Sequence, residues 1–166
     1  MAETPEEMLE EAKKSIGRET ATAEGRYPVE YDPIRRYCHM TDDDNPLFLD
    51  PGYARKGKHG AVVCPPLLAD YFAGRSALPP VQTPGDRNIN LTTEYEFFKP
   101  VKVGDRLSSK SRITAIYIKA IRLDSKAFWT ETERTITNQD DEVVMVSRNI
   151  GLRHRTPEQI EEAGDA

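Results

Sequence analysis

The chain has 166 residues, 37% apolar and 31% charged, with a net charge of −5. That is one domain's length, enough to bury a core without disulfide or metal staples, and too short for a Rossmann domain with a substrate domain, a TIM barrel or a kinase. No apolar run approaches the ~20 residues of a membrane span, MAETPEEMLEE has neither region of a secretory signal, and Cys38 and Cys64 lack metal-ligand spacing, so a reducing cytoplasm is expected.

The acidity is concentrated at the ends. Residues 1–14 carry −3 and residues 157–166 carry −4, which leaves +2 for residues 15–156. A nearly neutral middle argues against a dedicated nucleic-acid binder and leaves room for local cationic patches.

The first predicted element is a helix in an acidic N-terminal tail, residues 1–24. Thr4 caps it, Pro5 suits its first position and Glu7 completes a capping box, with Met8, Leu9, Ala12 and Ile16 as a thin apolar stripe. Asp32-Pro33 starts a second helix by the same logic, with Ile34, Tyr37 and Cys38 on one face. It ends in Thr41-Asp42-Asp43-Asp44-Asn45-Pro46, where turn formers accumulate. Leu47 to Ala61 reads as a short apolar step and a Gly- and Lys-rich loop. Pro65-Pro66 then leads into LLADYFAGR, whose Leu67, Leu68, Tyr71 and Phe72 recur at helical spacing and predict a buried helix over 66–74.

Past the loop from Leu78 to Arg87 the period falls to two. Ile89, Leu91, Thr93, Tyr95 and Phe97 alternate with polar residues and predict a half-buried strand. Lys99 to Asp105 is a turn. Further β-rich runs cover Leu107 to Leu123, Ala127 to Asn138 and Val143 to Leu152. A buried helix followed by four consecutive strands predicts an α+β fold with a helix against an antiparallel sheet. Residues 156–166 read as an acidic C-terminal tail.

The stretch YCHMTDDDNPLFLDPGYARKGKHGAVVCPPLLADYF, Tyr37 to Phe72, together with Phe97-Phe98-Lys99-Pro100-Val101-Lys102-Val103-Gly104-Asp105, resembles the MaoC-like hydratases and dehydratases. The resemblance covers about residues 25–153. It implies a single hot dog over 25–155, an antiparallel sheet wrapped around a central helix. It also implies a thioester of CoA or of a phosphopantetheine carrier as substrate, with no cofactor or metal.

Catalytic members of that family read Asp-x-Asn-Pro-Leu-His, and use the Asp and His to handle one water. They also offer a backbone N–H at a His-Gly pair where the central helix starts. Here Asp43-Asp44-Asn45-Pro46-Leu47-Phe48 keeps the Asp but puts Phe48 at the His position. The helix starts with Pro65-Pro66, and proline has no N–H. The sequence is thus similar to the N-terminal, non-catalytic MaoC-type domain or subunit. The resemblance implies a catalytic hot-dog partner in a heterodimer or heterotetramer, and neither nucleic acid nor membrane as a partner.

Asn45, Phe48, Cys64, Pro65, Pro66 and Tyr71 are the candidate substrate contacts, and Asp43 the candidate catalytic residue. Arg55, Lys56 and Lys58 are candidates for the CoA phosphates. Each has a plainer reading: a turn carboxylate for Asp43, a turn-fixing pair in Asn45-Pro46, a small buried hydrophobe for Cys64, and a solvated loop for the cations. Three functions remain open. The chain is a substrate-binding subunit, a self-sufficient hydratase or thioesterase using Asp43 or His59, or an acyl-thioester scaffold without activity.

Overall fold

The structure, a computed structural model, describes residues 4–164. Residues 1–3 of the expected N-terminal tail and 165–166 of the C-terminal one lie outside them. Helix α1 (Pro5–Lys13) leads to a short strand β1 (Ala23–Glu24), then α2 (Tyr31–Thr41), α3 (Pro46–Leu49) and α4 (Pro51–Lys56). A 3₁₀ turn over Pro66–Leu68 runs into α5 (Ala69–Phe72). Strands β2 (Arg87–Phe97), β3 (Ser108–Ile118), β4 (Phe128–Thr137) and β5 (Val143–His154) follow, then α6 (Pro157–Glu162).

The sheet order is β1-β3-β4-β5-β2, antiparallel at every pairing. This is the hot-dog fold. The main core lies between its inner face and the helices. Ile34 and Cys38 of α2, Ala54 of α4 and Ala69 and Phe72 of α5 meet Ile136 of β4 and Met145 of β5. The outer face is charged. Glu133 accepts from Arg112 Nη2 at 2.6 Å and from Arg148 Nε at 3.0 Å, and Arg148 Nη1 donates to Glu96 at 3.1 Å, a ladder across β3, β4, β5 and β2.

Several local expectations hold. Thr4 and Glu7 form the reciprocal capping box of α1. The four strand runs are strands. Others are corrected. Asp32 does not cap α2; the helix begins at Tyr31, and Asp32 pairs instead with Arg35 and Arg36, each at 2.7 Å. Leu47 to Ala61 contains α3 and α4, each begun by a proline behind a side-chain cap, Asn45 and Asp50.

The central helix is shorter than the predicted 66–74 and stops at Phe72. Two features end it. A Cβ on Gly74 would lie 2.4 Å from the Glu24 carbonyl oxygen, and one on Gly25 would lie 2.0 Å from that of Phe72, so β1 crosses tightly over the helix end. Arg134 of β4 then takes up the freed polar groups: Nη2 donates to Gly74 O at 2.8 Å, Nε to Ser109 Oγ at 3.0 Å, and Nη1 to Asp70.

The N-terminal helix is part of the packing. Ala12 is buried in a second cluster with Ile113, Ile116 and Phe128, with Met8, Leu9, Leu78 and Val81 against it. Bulges explain why the strand patterns mislead. The β3–β4 register shifts between Ile113 and Ala115, so Ile113 and Ile116 reach one face although three apart. In β2 the shift between Asn90 and Thr92 breaks the alternation at Leu91. The strand expected to be half-buried is exposed at every residue, because it is the sheet edge and α5 ends before covering it.

Candidate functional site

The acidic turn after α2 is a relay of local caps. Asp42 takes the left-handed conformation that ends α2, at φ 56°. Asp43 Oδ1 accepts from Asn45 N at 3.0 Å, Asn45 Oδ1 accepts from Leu47 N at 3.0 Å, and Asp50 Oδ1 accepts from Gly52 N at 2.7 Å. These side chains fix α3 and α4 and so set where Phe48 stands. The Tyr31 hydroxyl donates to Leu49 O at 2.7 Å and ties this segment back to α2.

Residues 62–64 are held on two sides. Val63 N donates to Leu47 O at 3.1 Å, Cys64 N to Val101 O at 2.8 Å, and Val103 N to Val62 O at 3.0 Å. The turn that supplies Val101 is braced by buried Asp105, whose Oδ2 accepts from Lys102 N at 2.7 Å. Pro65 and Pro66 therefore emerge at a defined place, between Phe48 and the end of β2.

Two adjoining hollows form there. An open groove of about 590 Å³ is lined by Asp43, Phe48, Pro65, Pro66, Leu67 and Phe97, with Tyr37, Thr41, Asp42 and Asp44. An apolar cavity of about 240 Å³ reaches inward past Phe48, Cys64, Pro66, Ala69, Phe97 and Met145. They share Phe48, Pro66 and Phe97.

Asp43, Phe48, Cys64, Pro65 and Pro66 thus come together, far apart in sequence though some of them are. Asn45 lines neither hollow and acts from below, as a cap. Tyr71 is not with them. It is 72% exposed and lines a separate hollow with Arg26, Tyr27 and Phe72. The buried stripe of the helix is Ala69, Phe72 and Ala73, and Tyr71, two residues past Ala69, falls on the opposite side. Arg55 and Lys56 at the end of α4, with Lys58 beyond it, are exposed and line neither hollow, nor does His59. Phe97 and Met145 join the site without having been marked by their sequence. Phe97 sat in the strand-and-turn motif, but no local pattern says which helix a strand end faces.

The lining offers little acid–base chemistry. Phe48 carries no proton, and Pro65 and Pro66 have no N–H to polarise a carbonyl. Burial pushes the Cys64 thiol up to about 12, so it is a neutral, apolar group at physiological pH. No histidine lines either hollow among the described residues. What remains is Asp43, one oxygen of which is engaged by Asn45 N. Such a lining has room for an apolar group and presents no matched acid–base pair among the described residues.

Residues 14–147 match the FAS1-like dehydratase domain region model. The chain belongs to that family. The FAS1-like dehydratase domain here is 28% identical over 95 residues to a UPF0336 protein of Streptomyces avermitilis, covering 54% of this chain and 63% of that relative. It is 33% identical over 84 residues to an (R)-specific enoyl-CoA hydratase of Aeromonas caviae, covering 50% of this chain and 60% of that one. These matches span less than two thirds of the relatives' own lengths. In fold it superposes on a chain of the ChsH1-ChsH2 complex from Mycobacterium tuberculosis with a TM-score of 0.75 at 17% identity, covering 92% of this chain and 97% of that one. The domain is a hot dog of the FAS1-like dehydratase family, with the fold of the hydratase and dehydratase structures it resembles. No helix among its described residues is long and apolar enough to cross a membrane.

Proposed function

We propose that this chain is the substrate-binding subunit of an R-specific enoyl-thioester hydratase or 3-hydroxyacyl-thioester dehydratase. A second hot-dog chain brings the Asp and His that handle the water. One observation carries the reading: Phe48, Pro65 and Pro66 line one site, and each removes a donor or base that the chemistry needs. The 240 Å³ cavity behind them, with Cys64, Ala69 and Met145, is suited to hydrocarbon.

Strand β2 supports a partner. Its free edge carries Leu91, Tyr95, Phe97 and, just beyond, Phe98, each 42–51% exposed. A long edge strand with exposed apolar side chains is an invitation to strand pairing. Phe97 belongs both to this edge and to the hollows, so a chain seated on β2 would also wall the site. Arg55, Lys56 and Lys58 are proposed to meet the phosphates of the CoA or phosphopantetheine handle.

The test is hydration of crotonyl-CoA by the purified chain, alone and mixed with hot-dog proteins from the same source that keep Asp-x-Asn-Pro-Leu-His and His-Gly. Negligible activity alone and a large gain with one partner is the expected result. Robust activity of the chain alone, lost in Asp43→Asn or His59→Ala, would sink it in favour of a self-sufficient enzyme. Thioester binding without activity under any pairing would favour the scaffold.

A further inference from the structure

Where α5 stops short, the inner face of the sheet is left uncovered, and that stretch is polar. A hollow of about 380 Å³ lies beyond the helix end, bounded by Asp70 of α5 and by Tyr95, Thr132, Arg134, Ser147 and Asn149 of the sheet. It adjoins a second hollow of about 310 Å³, with which it shares Leu78, Thr132 and Asn149. Ile113 and Val81 close the far end, and α1 packs on them. The trough follows the apolar cavity in line. Ala69 and Asp70 are consecutive in α5, and the Phe97 and Tyr95 rings stack 6.2 Å apart on one face of β2, about 7 Å along the strand.

The charges of the first hollow are already matched, while Arg153 at the rim of the second has no partner among the described residues. Arg134 is spent on Asp70, Ser109 Oγ and the Gly74 carbonyl, and Arg75 pairs with the second oxygen of Asp70. The neutral groups are not matched. Asn149 Nδ2 donates to Asn90 Oδ1 at 2.6 Å and Thr93 Oγ1 at 3.0 Å, but its Oδ1 has no protein partner among the described residues. The hydroxyls of Tyr95, Thr132 and Ser147 have none either. Side chains that carry three hydroxyls and an amide oxygen without a protein partner thus line a space of ligand size. A plain alkyl chain laid there would strip their water and give nothing back.

We propose that this trough is a second subsite, which takes a neutral hydroxyl or ketone oxygen on the distal part of an acyl group whose nearer hydrocarbon lies in the Phe48–Met145 cavity. The proposal rests on the substrate-binding reading above. The preferred thioesters therefore carry an oxygenated tail, and straight saturated chains bind more weakly.

Calorimetric titration of the full chain with octanoyl-CoA and with its ω-hydroxy and (ω−1)-keto derivatives tests it. At least one oxygenated derivative should bind about tenfold tighter, the worth of one or two net hydrogen bonds. In the near-isosteric double variant Thr132→Val, Ser147→Ala, checked for an intact thermal transition, the ratio of the two affinities should fall to about one. Equal affinities in the wild type, or a ratio that survives in the double variant, would overturn the subsite and leave the thioester reading standing. Failure of all three thioesters to bind, with and without a hot-dog partner, would bring down both.

Discussion

At the β3 edge of the sheet, the chain's own N-terminal segment supplies the next strand. Gly17 N and Thr20 N donate to Ile113 O and Ser111 O at 2.9 Å each, and β1 pairs with Ser108 and Ser109. At the opposite edge β2 pairs with β5 on one side and with no described residue on the other. One edge is finished within the chain. The other keeps its backbone donors and acceptors free beside exposed aromatic rings. Such an edge is open to strand pairing, and it lies on the side that holds the candidate site, where the proposed partner would add its strand.

The contrast can be broken from either side. The largest effect is expected in the finished part, at the buried Asp124–Arg155 pair that ties the β3–β4 connection to the end of β5. Asp124 accepts from Arg155 N and Nη2 at 2.8 Å each and from Lys126 N at 2.8 Å. Asp124→Ala takes the carboxylate from a buried guanidinium and should cost about 3–5 kcal/mol in urea unfolding; a loss below about 1 kcal/mol would show the pair to be incidental. Burial alone would raise this carboxyl, but the hydrogen bonds from Arg155 and Lys126 outweigh it and hold it below its ordinary value. The sign follows: the stabilisation is present above the ordinary carboxylate range and is lost as pH falls through the depressed value. Acid titration of stability should therefore be flatter in Asp124→Asn than in the wild type.

Next in size is the seat of α1. Ala12→Asp puts a charge into the Ile113–Phe128 cluster and should destabilise by about 2–3 kcal/mol in thermal or urea unfolding. No change would mean that α1 does not pack there in solution.

The open edge should respond in the opposite manner. Phe97→Lys is expected to alter the stability of the isolated chain by less than about 1 kcal/mol, yet to abolish association through β2, read by analytical ultracentrifugation with itself and with the hot-dog partner. Association that persists would move the interface elsewhere. The smallest effect is on Cys64. With its thiol pushed up to about 12, alkylation by iodoacetamide at mildly alkaline pH should be slow in the folded chain and rapid only in denaturant.

Local chemistry made much of this readable in advance. Thr4-Pro5 with Glu7 act within a single turn, so their residues suffice to place α1; the same cap-then-proline logic at Asn45-Pro46 starts α3, where the sequence had been read only as a turn. Strand runs show because the β period repeats. Tyr71 was misplaced because helical spacing names two candidate faces, and only the sheet decides which one is buried. The β2 pattern failed at Leu91 because a bulge adds one residue and inverts every later side chain without any signature in composition. The trough was invisible for a related reason. Thr93, Tyr95, Thr132, Ser147 and Asn149 lie on three strands and share a face only once register is set.

By itself, then, the sequence determined the α+β order, the capping box of α1, and a side chain at position 48 and an imide nitrogen at 65 and 66 that carry no exchangeable proton. Those are properties of single side chains and of contacts within a few residues. Only the tertiary structure decided where the central helix ends, which edge of the sheet stays open, and what polar surface lies beyond Phe72. Each depends on distant segments meeting: β1 crossing at Gly25 and Gly74, and Arg134 reaching from β4 to the helix end.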